Sequence, residues 1–272
     1  MLRSSNPILS KQDAFTPAAP QQYGQNPYGQ QSPYAPQQPG YGQPPVGTDA
    51  RMTFDDVITK TVLVMGVLAI SAALAWMLMP PALYFPALIL SALVGFGTVL
   101  LVSFRRNISP PLVFVYAAVE GIFIGMLSKV FEGYYPGIVA QAVLATFVAA
   151  GVTLAAYKIF NIRVTPKFQK IVILSTVAFA AVMLVNFVFV LFSGSTGLRG
   201  GIVGPVSLLS VGISLVAIVL AVLNLILDFD YIERGVQMGA PASESWRGAF
   251  GLTVTMVWLY IEMLRLISYI RR

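Results

Sequence analysis

The sequence contains no cysteine and no histidine. These absences exclude a disulfide framework, a cysteine- or histidine-ligated zinc site, a thiol nucleophile and a histidine general base. Most hydrolase and metalloenzyme classes are thereby removed, so we expect neither a cofactor nor an enzymatic activity. Charged side chains are also scarce: they make up 10% of the chain, against about 25% in a soluble domain.

Apolar residues make up 57% of the chain, and the mean hydropathy is +0.76. This composition excludes an ordinary soluble domain and makes membrane lipid the expected surrounding. The net charge of +6 could suggest nucleic acid. The basic residues, however, fall between apolar runs and do not form one polar face, so we interpret them as loop charge and expect no nucleic-acid partner.

The chain divides into two regions by composition. Residues 1–51 repeat short Gln/Pro/Tyr/Gly units and lack the clustered aliphatic residues that offset the entropy of ordering, so we expect a disordered cytoplasmic tail. Residues 52–272 contain seven apolar segments of the length that crosses about 30 Å of hydrocarbon. We predict an all-α polytopic membrane domain, because no alternating pattern of a β-barrel is present. The predicted spans are 57–79, 82–102, 111–128, 137–157, 169–192, 203–226 and 247–268.

Loop charge orients these spans. Basic residues concentrate in three connections, the second-to-third, fourth-to-fifth and sixth-to-seventh, which predicts that these connections and the N-terminus are cytoplasmic. With seven spans the C-terminus is then outside. Arg271 and Arg272 are on the wrong side for this rule, unless one segment is re-entrant or only half-spanning.

Glu120 lies near the middle of the third predicted span. An unpaired carboxylate at that depth is costly, so it should face the bundle interior, be protonated or find a partner. Intramembrane acids usually mark functional sites. The alternative is an interhelical hydrogen-bonding residue beside Gly121 and Gly125, whose small size lets helices approach closely.

Asp228 and Asp230 follow the sixth predicted span. A spacing of two places them about 200° apart on a helix, so they converge only if the helix ends or unwinds there. Acids are unfavourable at a helix C-terminus, which suggests a compensating partner or ion. We favour a functional role for one of the two over a solvated helix end.

Glu262 and Arg265 lie three residues apart on the seventh span, so they can meet on one helix face. At 1.5 Å per residue, Glu262 is about 22 Å along the helix from Arg247, too far to reach Asp228. An internal ion pair near the outer end is the favoured interpretation.

Three motifs together resemble the Bax inhibitor-1 family of membrane proteins, and in particular a bacterial branch with a Gln/Pro/Tyr-rich leader. They are VEGIFIG around Glu120, LDFDYI around Asp228, and LYIEMLRLI in the closing helix. The resemblance covers residues from about 52 to the end, without the tail. It implies seven helices, the last one central and wrapped by the other six, and a pH-sensitive calcium leak in a bacterial cytoplasmic membrane.

The resemblance further implies two aspartates, on the sixth and seventh helices, that gate this leak. Asp228 matches the first. The second position, about ten residues before Arg265, is Thr255, so the second carboxylate would have to come from Asp230 or Glu120 if the switch is present. Two close carboxylates form such a switch because they share a proton.

Our leading hypothesis from the sequence is a pH-sensitive calcium or cation leak. Asp228, helped by Asp230 and Glu120, would form the ion and proton site, with Asp228 and Asp230 as calcium ligands and Arg265 as counter-charge. A rival is a regulatory protein that binds and restrains a membrane protease or a quality-control complex. An intramembrane enzyme is disfavoured, because the two aspartates lie two residues apart and do not face each other from two helices.

Overall fold

The structure, a computed structural model, describes residues 51–105 and 108–272. The predicted tail therefore lies outside the described residues except for Arg51. The described residues form seven helices long and apolar enough to cross a membrane, which confirms the predicted all-α architecture. They are α1 (Phe54–Leu78), α2 (Tyr84–Phe104), α3 (Pro110–Tyr134), α4 (Ile138–Ile159), α5 (Pro166–Ser193), α6 (Leu208–Gln237) and α7 (Glu244–Ile270), with short 3-10 turns at Pro81–Leu83 and Gly197–Arg199.

Local capping chemistry sets where several helices begin. Thr165 precedes Pro166, the first residue of α5, and its hydroxyl accepts a hydrogen bond from the backbone N–H of Phe168 at 3.3 Å. Ser207 caps α6 in the same way. Proline suits a first helical position because the missing N–H would have no partner there. Pro110 and Pro166 therefore begin α3 and α5 and do not interrupt them.

The last helix is central, as the family resemblance implied. α7 packs against α1, α3, α4 and α6, and it is the most buried of the seven helices. The two remaining helices are more peripheral, because α2 packs on α3 and α5 packs on α6. α5 still reaches α7 through stacked rings of Phe179 and Trp258, whose centroids are 5.9 Å apart. The outward faces of the helices are apolar, as membrane lipid requires.

One end of the bundle gathers the start of α1 and connections predicted to be cytoplasmic. The backbone N–H of Met52 donates to the carbonyl oxygen of Ala240, in the α6–α7 connection, at 2.7 Å. The guanidinium of Arg234, in the last turn of α6, donates to the carbonyl oxygen of Val164, in the α4–α5 connection. These contacts fix the start of α1, α4–α5 and α6–α7 to one another.

The opposite end carries the C-terminus, where two arginines follow α7. Arg271 Nη1 donates to the carbonyl oxygen of Pro136 at 2.9 Å, and Arg272 Nη1 donates to that of Gly204 at 3.3 Å. Both guanidinium groups thus bind loop carbonyls at their own end of the bundle. Because α7 is 27 residues long, no re-entrant segment is needed to explain their position.

The sixth helix is longer than predicted. The predicted span ends at residue 226, whereas α6 continues as a regular helix to Gln237. The prediction that Asp228 and Asp230 stand at a helix terminus was therefore wrong, and so was the macrodipole argument built on it. Residue 226 ends the apolar part of the helix. The helix itself continues beyond it and carries polar side chains such as Arg234.

α1 and α3 form the closest helix pair at two glycines. A Cβ added at Gly121 would collide with the carbonyl oxygen of Leu68, and one at Gly125 would lie 2.9 Å from the Cα of Ala72. The same interface contains a hydrogen bond from Ser71 Oγ to the carbonyl oxygen of Ala118 at 2.6 Å. Backbones can approach this closely only where side chains are absent, as the sequence predicted for these glycines.

Gly121→Ala should lower the stability of the protein by about 1–3 kcal/mol, the usual cost of overpacking. The matched control is Gly97→Ala on α2, where an added Cβ meets nothing within 4 Å. The control should be neutral or slightly stabilising, because alanine favours a helix more than glycine does. Thermal unfolding in detergent micelles measures both variants. Equal unfolding temperatures would contradict the close packing of α1 on α3.

Candidate ion-binding site

Asp228 lies on α6 at its interface with α7. The hydroxyl of Thr255, on α7, donates to Asp228 Oδ2 at 2.7 Å. The other carboxylate oxygen, Oδ1, lies against Gly251, where an added Cβ would be 3.0 Å away. Gly251 and Thr255 are four residues apart and therefore share one face of α7. We call these two residues the seat of the carboxylate. Oδ2 accepts a hydrogen bond from the Thr255 hydroxyl, and Oδ1 lies against the backbone of Gly251.

Among the described residues, no basic side chain forms an ion pair with this carboxylate. Thr255 is only 6% exposed and Asp228 is half-buried. Within residues 51–105 and 108–272, the five ion pairs join other residues, so Asp228 has none. A carboxylate without a counter-charge at membrane depth is costly, so Asp228 is a candidate site for a proton or a cation.

Asp230 points away from Asp228. Its carboxylate forms an ion pair with Arg234 Nε at 2.8 Å, one turn further along α6. Because the helix stays regular through both residues, the two carboxylates do not converge. No group of three or more acidic side chains that could hold a metal ion occurs in the described part of the chain. The assignment of Asp230 as a calcium ligand beside Asp228 therefore has no geometric support.

Glu120 occupies a separate position, between α3 and α2. A Cβ added at Gly95 of α2 would lie 2.6 Å from Glu120 Oε2, so the carboxylate rests on the bare backbone of that glycine. The side chain is half-buried, and it neither hydrogen-bonds nor pairs with any residue in the described ranges. Glu120 therefore does not serve as the second carboxylate of a pair with Asp228.

Glu262 belongs to a third polar cluster, near the C-terminal end of α7. It is 2% exposed, and its Oε1 accepts from Arg199 Nη1 at 2.6 Å. The predicted ion pair between Glu262 and Arg265 was wrong: the partner comes from the α5–α6 connection. Helix spacing shows which residues share a face, but it cannot show that a loop delivers a competing arginine.

Arg265 is not a direct counter-charge for Asp228. It stands ten residues after Thr255, which is about 15 Å along a helix. Its electrostatic neighbours are Arg199, Glu262 and Tyr269. Its Nε, like Glu262 Oε2, has no hydrogen-bond partner among the described residues. The role assigned to Arg265 as counter-charge of the ion site is thus corrected.

Residues 6–272 match the family described as Bax inhibitor 1 like. The chain belongs to this family. The match includes most of the N-terminal tail, which the resemblance from sequence motifs had left outside. No curated protein matches the chain closely enough to count as a relative.

The Bax inhibitor 1 like resemblance carries a specific expectation about α6 and α7. It implied a pair of facing acidic positions, which fall on Asp228 and Thr255 in this chain. These are the two side chains that meet at 2.7 Å across the interface. The positions therefore face each other here, with a hydroxyl group in place of the second carboxylate.

Three residues that contribute to the contacts around the polar side chains were missed from the sequence. Gly251 could have been found, since it lies one turn before Thr255 on the same face. Asn224 lies one turn before Asp228, and its Nδ2 donates to Thr176 Oγ1 on α5 at 2.8 Å. The pairing of Arg199 with Glu262 could not be found from the sequence, because nothing in a loop sequence reveals which helix the loop will cover.

Glu262→Gln should destabilise the Bax inhibitor 1 like fold by about 3–5 kcal/mol, because it leaves the guanidinium of Arg199, whose side chain is 11% exposed, without its opposite charge. The control is Asp230→Asn, which breaks an ion pair whose Arg234 side chain is 47% exposed. That pair should contribute at most about 1 kcal/mol. Chemical unfolding in detergent micelles gives both values. Glu262→Gln costing no more than Asp230→Asn would contradict the structural role of the Arg199 pair.

A double variant, Arg199→Met with Glu262→Gln, separates pairing from packing. It removes both buried charges at once, so it should recover part of the stability lost by Glu262→Gln alone. Additive losses would show that the two side chains contribute independently.

Proposed function

We propose that this Bax inhibitor 1 like protein is a pH-sensitive cation leak, with calcium as the transported ion and Asp228 as the ion and proton site. The observation that supports this best is the Asp228 carboxylate, which lies between two membrane-spanning helices and has the Thr255 hydroxyl as its partner. A buried acid that served only to stabilise the fold would be expected to have a basic partner, as Glu262 does.

The chemistry of the seat suits a hard cation. Calcium is a hard cation that binds oxygen ligands, above all carboxylates, and Asp228 and Thr255 offer one carboxylate and one hydroxyl oxygen. Gly251 has no side chain, so the backbone of α7 approaches Asp228 Oδ1 closely: a Cβ added there would lie 3.0 Å from this oxygen. One carboxylate and one hydroxyl are a sparse ligand set, which favours passage over tight retention because conduction requires weak binding.

Protonation of Asp228 acts on ion binding more than on helix packing. A hydroxyl can both donate and accept, so Thr255 can hydrogen-bond to either the ionised or the protonated carboxyl group. The α6–α7 contact therefore survives in both states, whereas the negative charge that attracts a cation is lost on protonation. Cation flux through this site should consequently fall as the solution is acidified.

Glu120 is proposed as a second, independent proton-binding group. Its carboxylate lies at the α2–α3 interface, apart from the Asp228 seat, so each group would titrate without sharing a proton with the other. This differs from a two-carboxylate switch, in which coupling of close acids produces the response to pH. Asp230, paired with Arg234, is the least favoured of the three acids.

We place the protein in a bacterial cytoplasmic membrane with the N-terminus in the cytoplasm. The support is the distribution of basic residues in the connections, which favours the end of the bundle that holds the start of α1. Arg271 and Arg272, the exceptions at the other end, are engaged by loop carbonyls. The presence of these two arginines at that end therefore reflects local hydrogen bonding as well as the orientation of the protein.

Asp228→Asn should reduce calcium flux into proteoliposomes by about tenfold or more, because a charged ligand contributes about 1.5–3 kcal/mol. The remaining flux should also lose most of its dependence on pH. Asp230→Asn is the matched control: it makes the same chemical change two residues away, on another face of α6, and should retain flux close to wild type.

Two results would contradict this function. Equal flux in Asp228→Asn and Asp230→Asn would remove Asp228 as the ion site. Wild-type flux no greater than that of empty liposomes at any pH, with the protein shown to be folded, would overturn the leak altogether. The regulatory role in restraining a membrane protease would then be the hypothesis to test.

A further inference from the structure

A long groove runs along the outside of the bundle between α1 and α4, which do not pack on each other. We call it the α1–α4 groove. Its cavity volume is about 730 Å³, within the range of small-molecule pockets. One wall runs from Val62 to Met77 of α1, about 22 Å along the helix. The other wall runs from Val139 to Phe147 of α4, and α3 and α7 form the floor.

The groove offers almost no free polar atoms. On its floor the hydroxyl groups of Ser128 and Tyr260 hydrogen-bond to each other at 2.6 Å. On its wall Thr146 Oγ1 donates to the carbonyl oxygen of Ala142 at 2.7 Å. These polar side chains are thus already partnered, and the remaining lining side chains are apolar apart from the indole N–H of Trp76. Such a surface fits hydrocarbon and disfavours water.

A polar anchor lies at one end of the groove. Trp76 lines it near the end of α1, and its indole N–H has no hydrogen-bond partner among the described residues. The ammonium group of Lys129 donates to the backbone carbonyl of Trp76 at 2.5 Å and lies over the ring of Tyr84. Tryptophan and lysine near helix ends sit at the depth of lipid headgroups.

Lys129 is available to an anion. It forms no ion pair within the described ranges. The nearest acid in sequence, Glu132, is already engaged: its two oxygens accept from the backbone N–H groups of Gly137 and Val139, at 2.5 and 3.1 Å. In the described part of the chain, no carboxylate therefore pairs with the Lys129 ammonium group, which lies beside this end of the groove on the carbonyl of Trp76.

We propose that the α1–α4 groove binds one acyl chain of an anionic phospholipid, whose phosphate is held by Lys129 and the Trp76 indole N–H. The length of the groove exceeds the depth of one leaflet, about 15 Å, so a whole chain can lie in it. In a bilayer, hydrocarbon gains little by leaving other lipid tails. Selection of a bound lipid therefore comes from the concave fit and from the charge at the headgroup.

Native mass spectrometry of the protein in detergent micelles, titrated with phosphatidylglycerol, tests the groove. Ala73→Phe places a ring in the groove, while Ala181→Phe makes the same change on the outer face of α5. Wild type and Ala181→Phe should each bind one lipid with equal affinity. Ala73→Phe should bind about tenfold more weakly, the factor that about 1.4 kcal/mol of lost packing produces.

Lys129→Gln tests the headgroup, with phosphatidylcholine as the comparison lipid. Wild type should prefer phosphatidylglycerol, and the variant should lose that preference while still binding one lipid. An unchanged preference would overturn the role of Lys129. Equal binding by Ala73→Phe and Ala181→Phe, or no lipid on wild type, would overturn the groove assignment. A lipid-free particle of twice 29.3 kDa would identify a second copy of the chain as the occupant.

Discussion

Inside a membrane, each ionisable side chain must find its partner within the protein, because lipid supplies none. This constraint accounts for the three polar clusters of the bundle. Glu262 meets it with Arg199, a buried ion pair that ties the α5–α6 connection to α7. Asp228 and Glu120 meet it only in part, through a hydroxyl in one case and a glycine backbone in the other. The incompletely compensated acids are therefore the ones that we propose as proton- or ion-binding groups.

The same constraint places α7 at the centre. It is the least apolar of the seven helices and also the most buried, whereas α5 is among the most apolar and is the most exposed. α7 carries Thr255, Tyr260, Glu262 and Arg265, all of which would be unfavourable against lipid. A helix with this many polar side chains has to be surrounded by other helices, and the aliphatic ones can then face the bilayer.

Much of this architecture could be predicted from the sequence, since span length and hydropathy are local properties. The seven helices and the close approach at Gly121 and Gly125 followed from local patterns, whereas the facing positions of Asp228 and Thr255 were implied by the family resemblance. The extension of α6 to Gln237 did not, because the end of an apolar run is not the end of a helix. The Arg199–Glu262 pair was also inaccessible, since its two residues are 63 positions apart.

The arrangement of charge along α7 has a consequence for cation movement. Thr255 and Glu262 are seven residues apart, about 10 Å along the helix. A cation leaving Asp228 toward the C-terminal end would approach Arg199, Glu262 and Arg265, a cluster with one excess positive charge. At low dielectric this charge repels a cation strongly. In the leak that we propose, the C-terminal end of α7 would therefore be an electrostatic barrier to a cation, and the carboxylate of Asp228 would be the attractive site.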